Sequence, residues 1–188
     1  MKFKIIPLTS LFLLNHITVS AADQFQYVEL TIVNVSIDEG SDSAGLGVEG
    51  KLKISDNFYA NAAYQKLSNS DTENDRGFIG LGMKYEVNKY LVPFSQIDYV
   101  NINGKFKTSS DSLSLKQYRI GVGVAGSVSD IQYKLGLSRY FIEGNEVKDE
   151  TIEFLEAFYS INNSFSVGGK AELADGGNIY GVGIRYRF

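Results

Sequence analysis

The chain has 188 residues, with 18 basic and 22 acidic side chains and a formal charge of −4. That balance disfavours nucleic acid as a partner, and the lack of cysteine excludes a disulfide framework, thiolate metal sites and a cysteine-linked lipid anchor. Nineteen glycines, two prolines and twelve each of Tyr and Phe point to β structure and away from a helical bundle.

Lys2 and Lys4 precede a mostly apolar stretch, Ile5 to Leu14, and Val19-Ser20-Ala21-Ala22 supplies the small residues of a cleavage site. Residues 1–22 are therefore predicted to be a secretory signal peptide, with 23–188 as one mature domain. A transmembrane helix needs ~20 predominantly apolar residues, and Pro7, Thr9, Ser10, Asn15 and His16 interrupt this stretch. Removing the leader takes away two lysines and no acid, so 16 basic residues face 22 acidic ones and the charge becomes −6.

Period-two segments then follow one another to the end of the chain. They predict strands at 25–35, 45–54, 58–67, 77–87, 90–102, 115–128, 131–141, 152–161, 165–174 and 179–188. Tight turns of Asn, Asp and Ser type fall at Ser55-Asp56-Asn57, Asn88-Lys89, Ser129-Asp130 and Asn162-Asn163-Ser164. Longer polar connections, 38–44, 68–76, 103–114, 143–151 and 175–178, alternate with them. Short turns on one side and long loops on the other are the habit of outer-membrane barrels. The expected fold is all-β, an antiparallel up-and-down transmembrane β-barrel of ten strands, with eight as the alternative count.

Alternation assigns the faces. In the last strand Tyr180, Val182, Ile184, Tyr186 and Phe188 oppose Gly181, Gly183, Arg185 and Arg187. Aromatic residues fall on the apolar face in two groups: Phe58, Tyr85, Tyr133, Tyr159, Phe165, Tyr186 and Phe188 near the turns, and Tyr64, Tyr99, Tyr118 and Tyr180 near the loops. Two such belts suit two membrane interfaces, whereas a soluble sandwich would bury its apolar face against a second sheet. The inward set is predicted to hold a charge network of Glu29, Glu49, Lys51, Lys84, Glu86, Asp98, Arg119, Lys134, Glu153, Glu156, Lys170, Glu172, Arg185 and Arg187, with Lys53 beside it. Both signs occur, so mutual pairing offsets desolvation; a single-sign ring would have suggested ion selection.

The stretches Tyr27-Val28-Glu29, Gly45–Ile54 with Ser55-Asp56-Asn57-Phe58, Gly80-Leu81-Gly82-Met83-Lys84-Tyr85, Gly168–Gly176 and Tyr180–Phe188 resemble the small outer-membrane barrels of proteobacteria, the OmpA/OmpX-like group. More narrowly they resemble a ten-stranded subgroup first described as regulated by a diffusible signal factor, although the lack of tryptophan departs from many relatives. The resemblance implies a place in the Gram-negative outer membrane, contact with its lipid and lipopolysaccharide, and a terminal strand read by the barrel-assembly machinery at Tyr180, Val182, Ile184, Tyr186 and Phe188.

Catalysis is not expected. The only histidine, His16, lies in the leader, so the mature chain lacks the usual base near neutral pH. A carboxylate pair such as Glu153 with Glu156 is the remaining arrangement, and lumen acids more often pair with Lys or Arg. Gly121-Val122-Gly123-Val124-Ala125-Gly126 satisfies G-x-G-x-x-G, but it lies inside a strand and opens no helix. Inward glycines, including Gly47, Gly80, Gly82, Gly181 and Gly183, are expected to make room for long neighbours. Loop acids (Asp38, Glu39, Asp42, Asp71, Glu73, Asp75, Glu143, Glu146, Asp149 and Glu150) lack EF-hand spacing and read as solvated. The expectation is a monomer without cofactor or metal, structural or surface-interacting in role. A narrow channel for small solutes stands second, and an enzyme a distant third.

Overall fold

The computed structural model describes residues 24–38, 41–108, 112–142 and 150–188; the predicted leader and the loop acids Glu39, Glu143, Glu146 and Asp149 lie outside them. Ten strands follow in order: β1 Tyr27–Ile37, β2 Ser43–Lys53, β3 Phe58–Ser68, β4 Thr72–Lys84, β5 Val92–Phe106, β6 Ser112–Val128, β7 Ile131–Ile142, β8 Glu150–Ser160, β9 Phe165–Ala174 and β10 Gly177–Arg187. Each pairs antiparallel with its chain neighbours, and β1 pairs with β10, so the sheet closes into a barrel. Closure removes the exposed edges that an open sheet would present.

The strands form where alternation is strongest, and short polar side chains turn them. Asn162 Oδ1 accepts the backbone N–H groups of Ser164 and Phe165 at 2.9 and 2.8 Å. Asn88 Oδ1 accepts that of Tyr90 at 2.8 Å, and Ser55 Oγ that of Phe58 at 3.2 Å. These side chains stand in for backbone partners that a reversal would leave unmet. Ser129 adopts a left-handed φ of 54°, the conformation that its two-residue hairpin requires.

Outward-facing residues such as Leu30, Ile32, Leu46, Ile79, Leu81 and Val182 are 58–71% exposed. An apolar surface of that extent has no place in water and suits acyl chains. Both aromatic groups lie on it. Tyr99 and Tyr118 meet edge-on at 5.8 Å near the loops, and Phe165, Tyr186 and Phe188 form a row near the turns.

Three expectations are corrected. The loop expected at 68–76 is a tight turn, in which Asn69 Oδ1 accepts the N–H groups of Asp71 and Thr72 at 2.9 and 2.7 Å while β3 and β4 run on to meet it. The loop expected at 103–114 is likewise shortened by extensions of β5 and β6. Beyond the loop-side belt the outward residues turn polar, and polar strands read as loops. At the other end β1 starts at Tyr27, not Phe25: Gln24 and Phe25 leave the sheet and cross the turn-side mouth, where Gln24 Nε2 donates to Gly126 O at 2.5 Å.

Candidate functional site

The barrel interior is stratified into three layers. At the turn end Phe25, Tyr59, Val92, Phe94 and Ala125 form a buried apolar cluster, joined by Phe154. Phe25 lies 4.7 Å from Tyr59 and 5.7 Å from Phe94, centroid to centroid. The ammonium groups of Lys84 and Lys51 stand over its ring at 5.0 and 5.8 Å, a cation–π arrangement that helps these amines tolerate burial. Gly82 makes this packing possible, because a Cβ there would fall 2.1 Å from the Tyr59 ring.

The middle layer is ionic. Glu29, fully buried, accepts from Arg185 at 2.7 and 3.1 Å, from Lys170 at 2.9 Å and from the Thr31 hydroxyl at 2.7 Å. Arg185 also reaches Glu156 at 2.9 Å, and Glu156 takes Lys134 at 2.8 Å. Lys170 continues to Glu49 at 3.1 Å, which binds Tyr27 Oη at 2.8 Å and Lys51 at 3.7 Å. A second chain runs Asn61–Asp98–Arg119, with contacts of 2.7 and 2.7 Å, and on through Tyr140 to Arg76 and Glu172. Buried charges are tolerable when their hydrogen-bonding capacity is met in this way. Inward glycines admit the long side chains: a Cβ at Gly80 would lie 2.1 Å from Asp98, and one at Gly181 3.2 Å from Lys170. One cavity in this layer holds about 40 Å³, bounded by groups that include Glu49, Gln96, Arg119, Lys134 and Glu156.

Most of the charges expected in the lumen are there, with exceptions that follow from geometry. Glu86 lies beyond the end of β4, exposed in the connection to β5, where the Tyr85 N–H donates to Pro93 O at 3.0 Å. Glu153 faces outward and is exposed. A spacing of three places Glu153 and Glu156 on opposite faces of β8, so they form no carboxylate pair. Arg187 points inward but binds the turn carbonyls of Asn162 and Asn163 at 2.6 and 3.1 Å, and Ser160 Oγ at 3.1 Å, bracing the last hairpin. Lys84 sits with the aromatic cluster. Lys53 is partly exposed and binds Asp56 at 2.7 Å in the turn, which holds that carboxyl below its ordinary value. Gly121–Gly126 lies wholly within β6. Tyr180, Val182, Ile184, Tyr186 and Phe188 are exposed on the outer face at the barrel seam.

The loop-side layer was not anticipated from the sequence. There the inner wall is aliphatic, with Val35, Leu67, Ile102, Ile152, Ala174 and Ile179 enclosing a cup of about 440 Å³. Its floor carries Arg76, Gln117, Tyr140 and Glu172. The signal was available: Val35, Leu67 and Ile102 alternate with Asn34, Lys66 and Asn101, but the apolar residues point inward.

No protein-family model matches the sequence, and no curated protein sequence does. Among solved structures the NanC porin superposes with a TM-score of 0.50 at 13% identity, over 86% of this chain and all of the porin. The translocator domain of the autotransporter NalP from Neisseria meningitidis gives 0.46 at 12% identity, over 86% of this chain and 87% of that one. Neisserial surface protein A gives 0.46 at 8% identity, over 86% and 95%. The likeness to the NanC porin shows the fold alone, a small closed antiparallel barrel.

Proposed function

We propose that this protein is a closed, non-conducting barrel of the Gram-negative outer membrane that acts through its loop-side face and passes no solute. The observation that carries the reading is the double obstruction of the lumen. A buried cluster of aromatic and aliphatic side chains seated on Phe25 fills the turn end, and the ion-paired layer above it holds a cavity of only about 40 Å³. A conducting pore needs a continuous polar path, so both layers would have to move.

Membrane residence is supported by the exposed apolar band and its two aromatic belts, and by strands at or above the ~9–11 residues needed to cross hydrocarbon. The leader-like residues 1–22 support export and cleavage. In this reading the protein is a monomer bathed by lipid and lipopolysaccharide, and its last strand engages the assembly machinery. Membership of the ten-stranded signal-regulated subgroup is supported only by the sequence stretches named above. A non-catalytic role is supported by a histidine-free mature sequence.

Planar-bilayer recording with purified, refolded protein tests the proposal. Background leakage without unitary steps is the expected result. Reproducible steps of one size would overturn it in favour of a narrow channel, which is the second reading.

A further inference from the structure

Polarity inverts along this barrel. Through the middle of the barrel the outer face is apolar and the inner face carries the ions. Toward the loop ends many outward positions are polar, among them Asn34, Lys66, Glu73, Asp75, Lys116 and Arg139, with Phe141 and Leu173 as exceptions, while the inward ones include the aliphatic Val35, Leu67, Ile102 and Ile152. A membrane barrel is expected to have a polar interior. Wet outside and greasy inside is the arrangement of a soluble barrel, whose mouth holds one small ligand. The loop-side ends of the strands thus form a water-soluble collar on a membrane barrel.

From this collar we infer that the cup is a blind binding site for one small neutral molecule, with an aliphatic or aromatic body and a hydrogen-bond acceptor at its buried end. The inference rests on the closed-barrel reading, because an obstructed lumen makes the cup a terminus and not a passage. Three features select the ligand class. Aliphatic walls favour an apolar body, since water against them is displaced at a gain. The floor is electrically balanced: Arg76 pairs with Glu172 at 3.3 Å, and Glu150 adds negative charge to the lining. An anionic headgroup would have to displace Glu172, so a hydroxyl or carbonyl suits the site better. Finally, Arg76 is 8% exposed, and its Nε–H has no acceptor among the described residues, although its terminal nitrogens reach Glu172 and Tyr140. Arg76 lines the cup, but its Nε is closed off from solvent as the side chains stand, so a ligand acceptor meets this donor only by shifting a neighbouring group.

The test exploits the absence of tryptophan from the chain. Ile37→Trp places a lone indole at the rim of the cup, and Ile97→Trp places one on the lipid face. Both full-length proteins, in phosphatidylcholine nanodiscs, are titrated with ω-bromodecanol as a quencher. Saturable quenching at the cup, reversed by unbrominated decanol, is expected, against non-saturating and non-displaceable quenching at Ile97→Trp from bilayer partitioning. In the cup reporter, Arg76→Lys keeps a cation beside Glu172 but removes Nε, and it should weaken binding by up to about tenfold. Val35→Asn should weaken it by polarising the wall. Proportional quenching at both reporters, without competition, would overturn the inference and leave the cup a water-filled vestibule. The closed-barrel reading would survive that result, because its own test is conductance.

Discussion

Glu29 and Arg185 face each other across the seam where the last strand meets the first, and the guanidinium fork closes that seam on a carboxylate with no exposure to solvent. The same guanidinium lies 3.9 Å from the ring centroids of Tyr27 and Phe158, sandwiched between them. Residues 156 positions apart thus add two charge-assisted hydrogen bonds to the strand pairing that completes the barrel.

Removing that cation should be expensive. Arg185→Ala strips Glu29 and Glu156 of their shared partner, and breaking a buried pair costs about 3–5 kcal/mol. Arg185→Lys keeps the charge but loses the fork and the flat stack, so it should fall between wild type and alanine. Urea unfolding in lipid vesicles, followed by the gel shift between folded and boiled protein, measures both. An alanine variant as stable as wild type would show that the seam does not depend on this pair.

The two obstructions in the lumen act in series. Phe25→Ala should open the turn-side mouth yet leave conductance near background, because the ionic layer remains. Phe25→Ala combined with Arg185→Ala should give measurable steps in planar bilayers, provided that the heat-modifiable gel shift confirms a folded barrel. A folded double variant that stays electrically silent would show that these two layers are not what closes the lumen.

Glycine placement predicts an asymmetry between the two faces. Gly82→Ala drives a methyl group to 2.1 Å from the ring of Tyr59, itself fully buried, and should cost about 1–3 kcal/mol as the cluster shifts. Gly50→Ala, outward-facing with only Tyr27 O at 3.8 Å, should be neutral or slightly stabilising. Urea midpoints of the two variants, side by side, check the contrast. Equal losses would mean that backbone flexibility, and not room for Tyr59, is what these positions supply.

Strand count, antiparallel order, tight turns and the lipid-facing band could all be read from the chain, because a period of two records which side of a ribbon each residue occupies and Asn, Asp and Ser mark the reversals. Alternation also assigned Glu29, Asp98, Arg119 and Arg185 to one face, but it is silent on height along the barrel and on partners across it. Glu86 is misplaced for that reason, since it lies past a strand's end, whereas Glu153 is misplaced against the alternation itself, three positions from the inward Glu156 and therefore outward. Only closure of the sheet brought Arg185 against Glu29, folded Phe25 across the mouth and turned Val35, Leu67 and Ile102 toward one another. Local pattern specifies a strand's two faces, whereas shear and curvature of the whole cylinder decide which residues share a layer, and so where the interior is ionic, sealed or hollow.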